Sequence, residues 1–254
     1  MKVKVGVDLG SAAIKVVLTD GAAILWRGQT PTAPGQEILA KKVLKKGLSE
    51  LGLTESAVTK VVATGYGKGL CGLAEERVDE ITANATGLYR LSQGQGRLIV
   101  NIGGQDLKII HLDERGRVAD FKMNDKCAAG TGRFFELAAR LLDVPLADFG
   151  ALSEKASSVV TLNSTCVVFA ESEMVSLMAT GVTAGDIASA LQTSVARRVA
   201  SLVGSANLGA GVWLDGGPAL NKGLVKALAD ELLAEVFVLP EPQYTVAFGA
   251  AITV

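Results

Sequence analysis

Apolar and polar positions alternate along the chain with two different periods. Short apolar runs at 2–7 and 97–100 are typical of buried strands. Other stretches place apolar residues three and four positions apart, which is the spacing of a helix face. This spacing predicts helices at 36–51, 75–91, 133–142, 169–180, 184–206 and 219–233. Strands and helices that succeed one another in this way indicate an α/β fold.

One stretch of the sequence occurs twice. Residues 8–20 (DLGSAAIKVVLTD) align without gaps on residues 101–113 (NIGGQDLKIIHLD). Each copy follows an apolar strand, turns at glycine after a polar residue, and continues as a second apolar strand that ends in aspartate. We call these turns the first glycine turn (8–13) and the second glycine turn (101–106). The repeat predicts two duplicated α/β halves, with a boundary at 92–96 where the apolar periodicity stops.

A related turn lies at 215–218, where paired glycines end the apolar run 212–214 and a helical pattern follows. We call it the third glycine turn. Glycine turns leave backbone N–H groups free to bind an anion and let a phosphate approach without meeting a Cβ. One such turn is usually only a hairpin, but three in this order favour a nucleotide site. The candidate contacts are Asp8, Gly10, Ser11, Lys15, Gly103, Gly104, Gly216 and Gly217.

These candidates have different expected roles. We expect Asp8 to hold Mg²⁺ or its water, and Ser11 and Lys15 to lie near the terminal phosphates. The second glycine turn would grip the phosphates from the other side, and the third would meet the adenosine. Lys15 and Lys108 could equally be solvated strand residues.

Cysteine usage suggests a metal site that one chain cannot complete. Cys127 and Cys166 each precede a helical run, where free N–H groups and the positive helix end favour a thiolate. A zinc ion or an iron–sulfur cluster takes about four ligands, and two per chain become four across a two-fold axis. The alternative is two buried thiols at helix starts. Cys71, the third cysteine, fits a small buried residue.

Composition excludes several classes of function. The chain has 254 residues, of which 49% are hydrophobic and 20% charged, and its net charge is −1. No basic run is present that would attract nucleic acid or an anionic membrane. No apolar run reaches the roughly 18 residues of a membrane span, and the N-terminus meets a charge too early for a signal peptide. We expect a cytoplasmic protein.

The three glycine turns together resemble the superfamily of ATPases that includes acetate and sugar kinases, heat-shock chaperones and actin. Four further segments narrow the resemblance to the ATP-dependent activators of 2-hydroxyacyl-CoA dehydratases. These activators are related to the ATPase subunits of benzoyl-CoA reductase and to the reductases of double-cubane cluster proteins. The segments are 63–67, 102–106, 124–134 and 164–173, and the match extends over nearly the whole chain.

The resemblance implies two duplicated actin-like ATPase (ribonuclease H-like) domains with a nucleotide cleft between them. Residues 1–94 and about 241–254 would form the first domain, and residues 95–240 the second. It further implies a homodimer that binds MgATP in each subunit, hydrolyses it to ADP, and holds one [4Fe-4S] cluster through Cys127 and Cys166 of both subunits. The resemblance also implies ATP-driven transfer of one low-potential electron from this cluster to a partner enzyme. A ferredoxin or flavodoxin would supply that electron to the cluster. The acceptor would be an iron–sulfur enzyme: a dehydratase, a ring reductase or a double-cubane protein.

One position departs from the family pattern. The family usually has an acidic residue where this chain has Asn101, and an amide supplies neither charge nor a base. Catalytic duty would therefore shift to Asp8, Gln105 and Asp106. Gln105 either orients the attacking water or only braces its turn.

Two other functions remain open from the residues alone. A small-molecule kinase could use the same nucleotide fold without a cluster, although the nearby acids, Glu171 and Glu173, more simply complement a helix dipole. A zinc ion held by the same thiolates would make the protein a zinc-stapled ATPase.

Overall fold

The computed structural model describes residues 1–124, 130–162, 166–206 and 208–253. Contacts divide the chain into two units. The first comprises Met1–Arg97, Ile110–Asp120 and Gln243–Val254, and the second comprises Leu98–Ile109 and Phe121–Pro242. Each unit is built on its own apolar core.

The first sheet has five strands in the order β3-β2-β1-β4-β5. β1 pairs antiparallel with β2 and parallel with β4, so the first glycine turn joins two neighbouring strands. Its strands are β1 (Val3–Leu9), β2 (Ala13–Thr19), β3 (Ile24–Pro31), β4 (Val58–Thr64) and β5 (Glu76–Arg77). The helices of this unit are α1 (Gln36–Glu50), α2 (Glu80–Leu91) and α8 (Thr245–Thr253).

The second sheet has the order β10-β9-β6-β7-β8, and β6 pairs in parallel with β9. Its strands are β6 (Leu98–Ile102), β7 (Leu107–Leu112), β8 (Val118–Met123), β9 (Val212–Asp215) and β10 (Val236–Val238). The helices that follow β8 are α3 (Gly132–Leu141), α4 (Phe149–Leu152), α5 (Val167–Ala179), α6 (Ala184–Val203) and α7 (Lys222–Leu232). Apolar residues of β6, β7, α3 and α6 share one buried cluster.

The far end of the β7–β8 hairpin belongs to the first unit for a local reason. The hydroxyl of Tyr89 in α2 donates to the carbonyl oxygen of Glu114, 3.2 Å away. The same ring packs against Gly116 and lies 5.3 Å from the guanidinium of Arg97. An aromatic side chain on α2 therefore fixes the hairpin tip.

Each of the six predicted helices corresponds to a helix of the structure, in the same order, although some ends differ. The short helix α4 and the helix α8 were not predicted. The predicted start at residue 75 is wrong, because the N–H groups of Glu75 and Val78 donate to carbonyl oxygens of β4 and hold this stretch extended. α2 begins at Glu80, where the side chain of Asp79 accepts the Thr82 N–H. The predicted start at 219 is also early, because a 3₁₀ turn at Gly217–Leu220 precedes α7.

Helix α8 has no amphipathic pattern and was missed. Seven of its residues, from Thr245 to Ala251, are buried, so the helix is apolar on every side. Such a segment lacks the polar face that reveals most helices in sequence. Among the described residues, no helix has the length and apolarity that crossing a membrane requires.

Candidate functional site

The first glycine turn closes with a hydrogen bond from the Gly10 N–H to the carbonyl oxygen of Ala13, 3.2 Å long. Asp8 and Lys15 are direct cross-strand partners on either side of it. The Nζ atom of Lys15 lies 2.9 Å from Oδ2 of Asp8, and Asp8 is only 3% exposed. Lys15 is therefore not a solvated strand residue but the counter-charge of a buried carboxylate. Ser11 lies half-buried within the turn.

The other oxygen of Asp8 is buried and has no hydrogen-bond partner among the described residues. The hydroxyl of Thr64 is also buried and also has no hydrogen-bond partner among the described residues. Thr64 lies beside Asp8, because the two residues are register partners on the parallel strands β1 and β4. A buried carboxylate oxygen without a partner is costly unless a ligand completes it. The arrangement fits Mg²⁺ or a water bound to it.

The second glycine turn has the same backbone closure as the first. The Gly103 N–H donates to the carbonyl oxygen of Asp106, 2.8 Å away, at the positions equivalent to Gly10 and Ala13. Gly103 and Gly104 are half-buried, and Gln105 is exposed at the tip. An exposed tip suits a side chain that reaches toward a ligand, and it equally suits a residue that only braces the turn.

Charges around the second turn are placed differently. Asn101, at the position of Asp8, donates from Nδ2 to Oδ1 of Asp215 at 2.7 Å, and both residues are buried. Asp215 ends β9 and is the register partner of Asn101. Asp106 is buried as well, with Oδ2 3.6 Å from Nζ of Lys108. Lys108 is 3% exposed and is therefore not solvated.

The third glycine turn lies against the end of β6. Gly216 has φ 92° and donates its N–H to the carbonyl oxygen of Pro242 at 3.1 Å. A Cβ at this position would overlap the carbonyl oxygen of Ile102, so only glycine fits. Gly217 is exposed, and a Cβ there would meet no atom. Gly216 is therefore required for the turn to pack against β6, whereas the space beside Gly217 is open.

Of the two candidate cluster ligands, Cys166 is described and Cys127 lies outside the described residues. Cys166 is half-buried and caps the N-terminus of α5 with extended backbone. Among the described residues, no side chain caps this helix through a hydrogen bond, and a helix start of this kind suits an anion at the thiol. Within the described ranges, His, Cys, Asp and Glu side chains form no group of three that could hold a metal ion. The local setting fits a thiolate ligand.

Cys71 has a different environment. It is fully buried in the core of the first unit, as predicted. Burial raises the pKa of its thiol above the ordinary value, although the backbone N–H groups of Leu73 and Ala74 act in the opposite direction. A protonated thiol in an apolar core is a packing residue.

Sequence reasoning missed two polar residues that the structure brings next to the predicted site. Thr64 ends β4 beside Asp8, and Asp215 ends β9 beside Asn101. A signal for both was present, since each ends an apolar run and directly precedes a glycine. Asp8 and Asn101 are placed similarly, with one residue between each of them and the next glycine. The carboxyl ends of neighbouring parallel strands thus carry two polar pairs.

Comparison with known proteins agrees with this geometry. The "Activator of lactoyl-CoA dehydratase" of Anaerotignum propionicum is 41% identical over 97% of this chain and 95% of its own length. A solved structure of the activator of the 2-hydroxyisocaproyl-CoA dehydratase from Clostridium difficile, with bound ADPNP, superposes with a TM-score of 0.92 at 38% identity. That match covers 99% of this chain and 93% of the other.

A ROK family glucokinase from Streptomyces griseus, in complex with glucose and AMPPNP, matches with a TM-score of 0.57 at 14% identity over 99% of both chains. This likeness shows the fold alone, and it confirms the predicted actin-like ATPase fold. The family model for the BadF/BadG/BcrA/BcrD ATPases matches residues 5–254. With that match over nearly its full length, the chain belongs to the BadF/BadG/BcrA/BcrD ATPase family.

Proposed function

We propose that this ATPase uses MgATP to deliver single low-potential electrons to an iron–sulfur enzyme. The observation that carries the proposal is the half-buried thiol of Cys166 at the N-terminus of α5, in a chain of this family. The N-terminus of a helix favours a negatively charged ligand, because its N–H groups and its dipole both point toward it. The names of the similar activators, which refer to acyl-CoA dehydratases, support an acceptor of that class.

Cys127 and Cys166 of two copies would hold one [4Fe-4S] cluster, which makes the active form a homodimer. A cluster so placed would supply one electron at low potential, at a value set by hydrogen bonds, dipoles and exposure. Ferredoxin or flavodoxin is the proposed donor. The proposed acceptors are a dehydratase, a ring reductase and a double-cubane protein.

In the proposed nucleotide site, the cation lies at Asp8 and the three glycine turns contact the nucleotide. Asp8 would ligate Mg²⁺ or its water through the oxygen that has no protein partner among the described residues. Gly10, Ser11 and Lys15 would contact the phosphates, as would Gly103 and Gly104. Gln105 and Asp106 would position the attacking water, and Gly216 and Gly217 would meet the adenosine. The ADPNP bound to a similar activator supports a nucleotide in this fold.

The kinase alternative is weaker than the activator proposal. The likeness to a sugar kinase is confined to the fold, whereas the activators are similar over nearly the whole chain at 38–41% identity. The zinc alternative differs from the iron–sulfur proposal only in the metal. It is separated by experiment.

The absorbance of anaerobically purified protein is the first test. A broad band near ~400 nm, together with about four irons per two chains, is expected for a [4Fe-4S] cluster. A colourless protein that contains zinc would replace the electron-transfer proposal with a structural metal. A colourless protein without metal would favour the small-molecule kinase alternative.

Cysteine variants test whether the metal site is shared. Cys127→Ser or Cys166→Ser removes two of four ligands from a dimer, so each should abolish the chromophore and electron delivery. Cys71→Ser is the matched control and should leave both intact, because Cys71 is buried in the first unit's core. Stoichiometric iron in Cys127→Ser, or a metal-loaded monomer in light scattering, would refute the shared site.

A further inference from the structure

The residue just before the segment that contains Cys127 is bonded to the strand that leaves the second glycine turn. Asn124, the residue before the segment 125–129, makes two hydrogen bonds to Leu107 just after that turn. Its backbone N–H donates to the Leu107 carbonyl oxygen at 3.0 Å, and its Oδ1 accepts the Leu107 N–H at 2.8 Å. The side chain therefore takes part in holding this end to the strand that leaves the turn.

The C-terminal end of the same segment is attached to the turn itself. The hydroxyl of Thr131 donates to the carbonyl oxygen of Gly104 at 3.0 Å. The N–H groups of Gly132 and Arg133 donate to the carbonyl oxygens of Gly103 and Gly104 at 2.8 and 3.0 Å. In the part of the chain that the structure describes, carbonyl groups of the turn, and not a capping side chain, accept from the first N–H groups of α3.

This attachment is tight. Thr131 is fully buried. A Cβ on Gly132 would lie 3.1 Å from the Gly103 carbonyl oxygen and 3.5 Å from the Gly104 Cα, which leaves little space between helix and turn. The start of α3 therefore cannot move away from the turn without breaking three hydrogen bonds.

We propose that Asn124 and Thr131 are positioning residues that transmit the nucleotide state of the second glycine turn to Cys127. The inference rests on the proposed function, because it takes the turn as a phosphate contact. A displacement of residues 103–107 would move both ends of the segment 125–129 together. Backbone bonds alone would transmit part of the displacement, and the two side-chain bonds fix its direction.

The first glycine turn provides a matched control. The hydroxyl of Thr32 donates to the carbonyl oxygen of Gly10 at 2.7 Å, and its N–H donates to the carbonyl oxygen of Ala12 at 3.0 Å. Thr32 directly follows β3, so no cysteine segment lies between that strand and this contact. Thr32→Val removes the same kind of bond as Thr131→Val, but from the other turn.

Hydrogen–deuterium exchange on the full-length, anaerobically purified protein tests the proposal. We would measure amides of peptides spanning 124–135 without nucleotide, with ADP and with AMPPNP, each at saturating concentration. The wild type should show exchange rates that depend on the nucleotide. Thr131→Val and Asn124→Ala should reduce the AMPPNP-to-ADP ratio of these rates by about 2- to 10-fold, the factor that one ordinary hydrogen bond supports.

Conservative variants separate positioning from mere stability. Thr131→Ser keeps the hydroxyl and Asn124→Asp keeps the acceptor, so each should restore most of the nucleotide dependence. Thr32→Val should retain it. If Asn124→Ala fails to fold, the pair Thr131→Val and Thr131→Ser decides alone.

The outcomes distinguish this proposal from the proposed function. Equal nucleotide dependence in the wild type and in both side-chain deletions would overturn the transmission role and leave the electron-transfer function standing. An insensitive wild type with bound nucleotide would overturn it as well. Nucleotide-dependent exchange in a protein that binds no iron would support the transmission and refute the iron–sulfur function.

Discussion

The two glycine turns of the repeat have the same backbone and different charges. Each closes with a hydrogen bond from its glycine N–H to the carbonyl oxygen three residues later, at 3.2 Å in the first turn and 2.8 Å in the second. In the first unit the acid is on β1, as Asp8, and a hydroxyl, that of Thr64, ends β4. In the second unit the amide, that of Asn101, is on β6, and the acid, Asp215, ends β9.

The connection after each third strand differs as well. In the first unit, Thr32 bonds the first turn immediately after β3. In the second unit, β8 ends at Met123, and Thr131 makes a similar contact one position further along the turn, with the carbonyl oxygen of Gly104. The residues between them include Cys127. The duplicated hairpins thus keep their geometry, and the two units differ in where the charge lies and in what is inserted.

The largest expected effect comes from making the first turn resemble the second. Asp8→Asn replaces the buried carboxylate with an amide, which lowers affinity for Mg²⁺. ATP hydrolysis should fall by about 100-fold or more. Steady-state phosphate release measures the effect, and the cluster absorbance should stay unchanged. Unaltered turnover would place the metal contact at a residue other than Asp8.

The converse change, Asn101→Asp, should destabilise the protein. It removes the 2.7 Å hydrogen bond to Asp215 and sets two buried carboxyl groups against each other. The expected loss is about 2–4 kcal/mol at neutral pH, measured by denaturant unfolding without nucleotide. Because a neighbouring carboxylate raises the pKa of a carboxyl group, the loss should shrink as pH falls. Asn101→Ala removes the hydrogen bond without adding a second carboxyl group, so its loss should vary less with pH than that of Asn101→Asp.

The smallest effects concern the aspartates that end the two repeats. The backbone N–H groups of Ala23 and Ala22 lower the pKa of Asp20. The Arg117 N–H is the main cause that lowers the pKa of Asp113, and the Arg117 guanidinium adds to it. A lowered folded-state pKa means that each carboxylate stabilises the fold above its unfolded pKa and stops doing so as pH falls through the folded pKa.

Thermal unfolding of Asp20→Asn and Asp113→Asn between pH 3 and pH 7 tests this comparison. Each variant should melt below the wild type at pH 7 and converge with it at the acid end. Added salt should narrow the gap more for Asp113→Asn, because its Nε–Oδ2 contact of 2.8 Å with Arg117 is an exposed charge pair. Equal salt dependence in both variants would contradict the assigned causes.

Much of the fold was predictable from sequence because the repeat has no gaps. The equivalence of Gly10 with Gly103 in the alignment reappears as an equivalent hydrogen bond. Strand pairing was not predictable in the same way. Residues 75–77 are charged, and the stretch 75–78 looks like the first turn of a helix, yet it pairs with β4 because the edge of that strand offers carbonyl groups as acceptors.

The site was predictable where a residue's role depends on its neighbours in sequence. Lys15 was placed at the first turn but could not be distinguished from a solvated residue until β2 was seen to set it opposite Asp8. The partnership of Asn101 with Asp215 joins residues 114 positions apart. Only the parallel pairing of β6 with β9 creates it, and no local pattern contains that information.

The pairing of Lys15 with only one oxygen of Asp8 bears on what happens after product leaves. An isolated buried carboxylate would be a strong electrostatic penalty in an empty protein. Here Lys15 contacts Oδ2 at 2.9 Å, and Oδ1 has no partner among the described residues. A divalent cation could therefore bind Oδ1 without displacing the lysine. The vacated pocket would then remain electrically neutral at this residue.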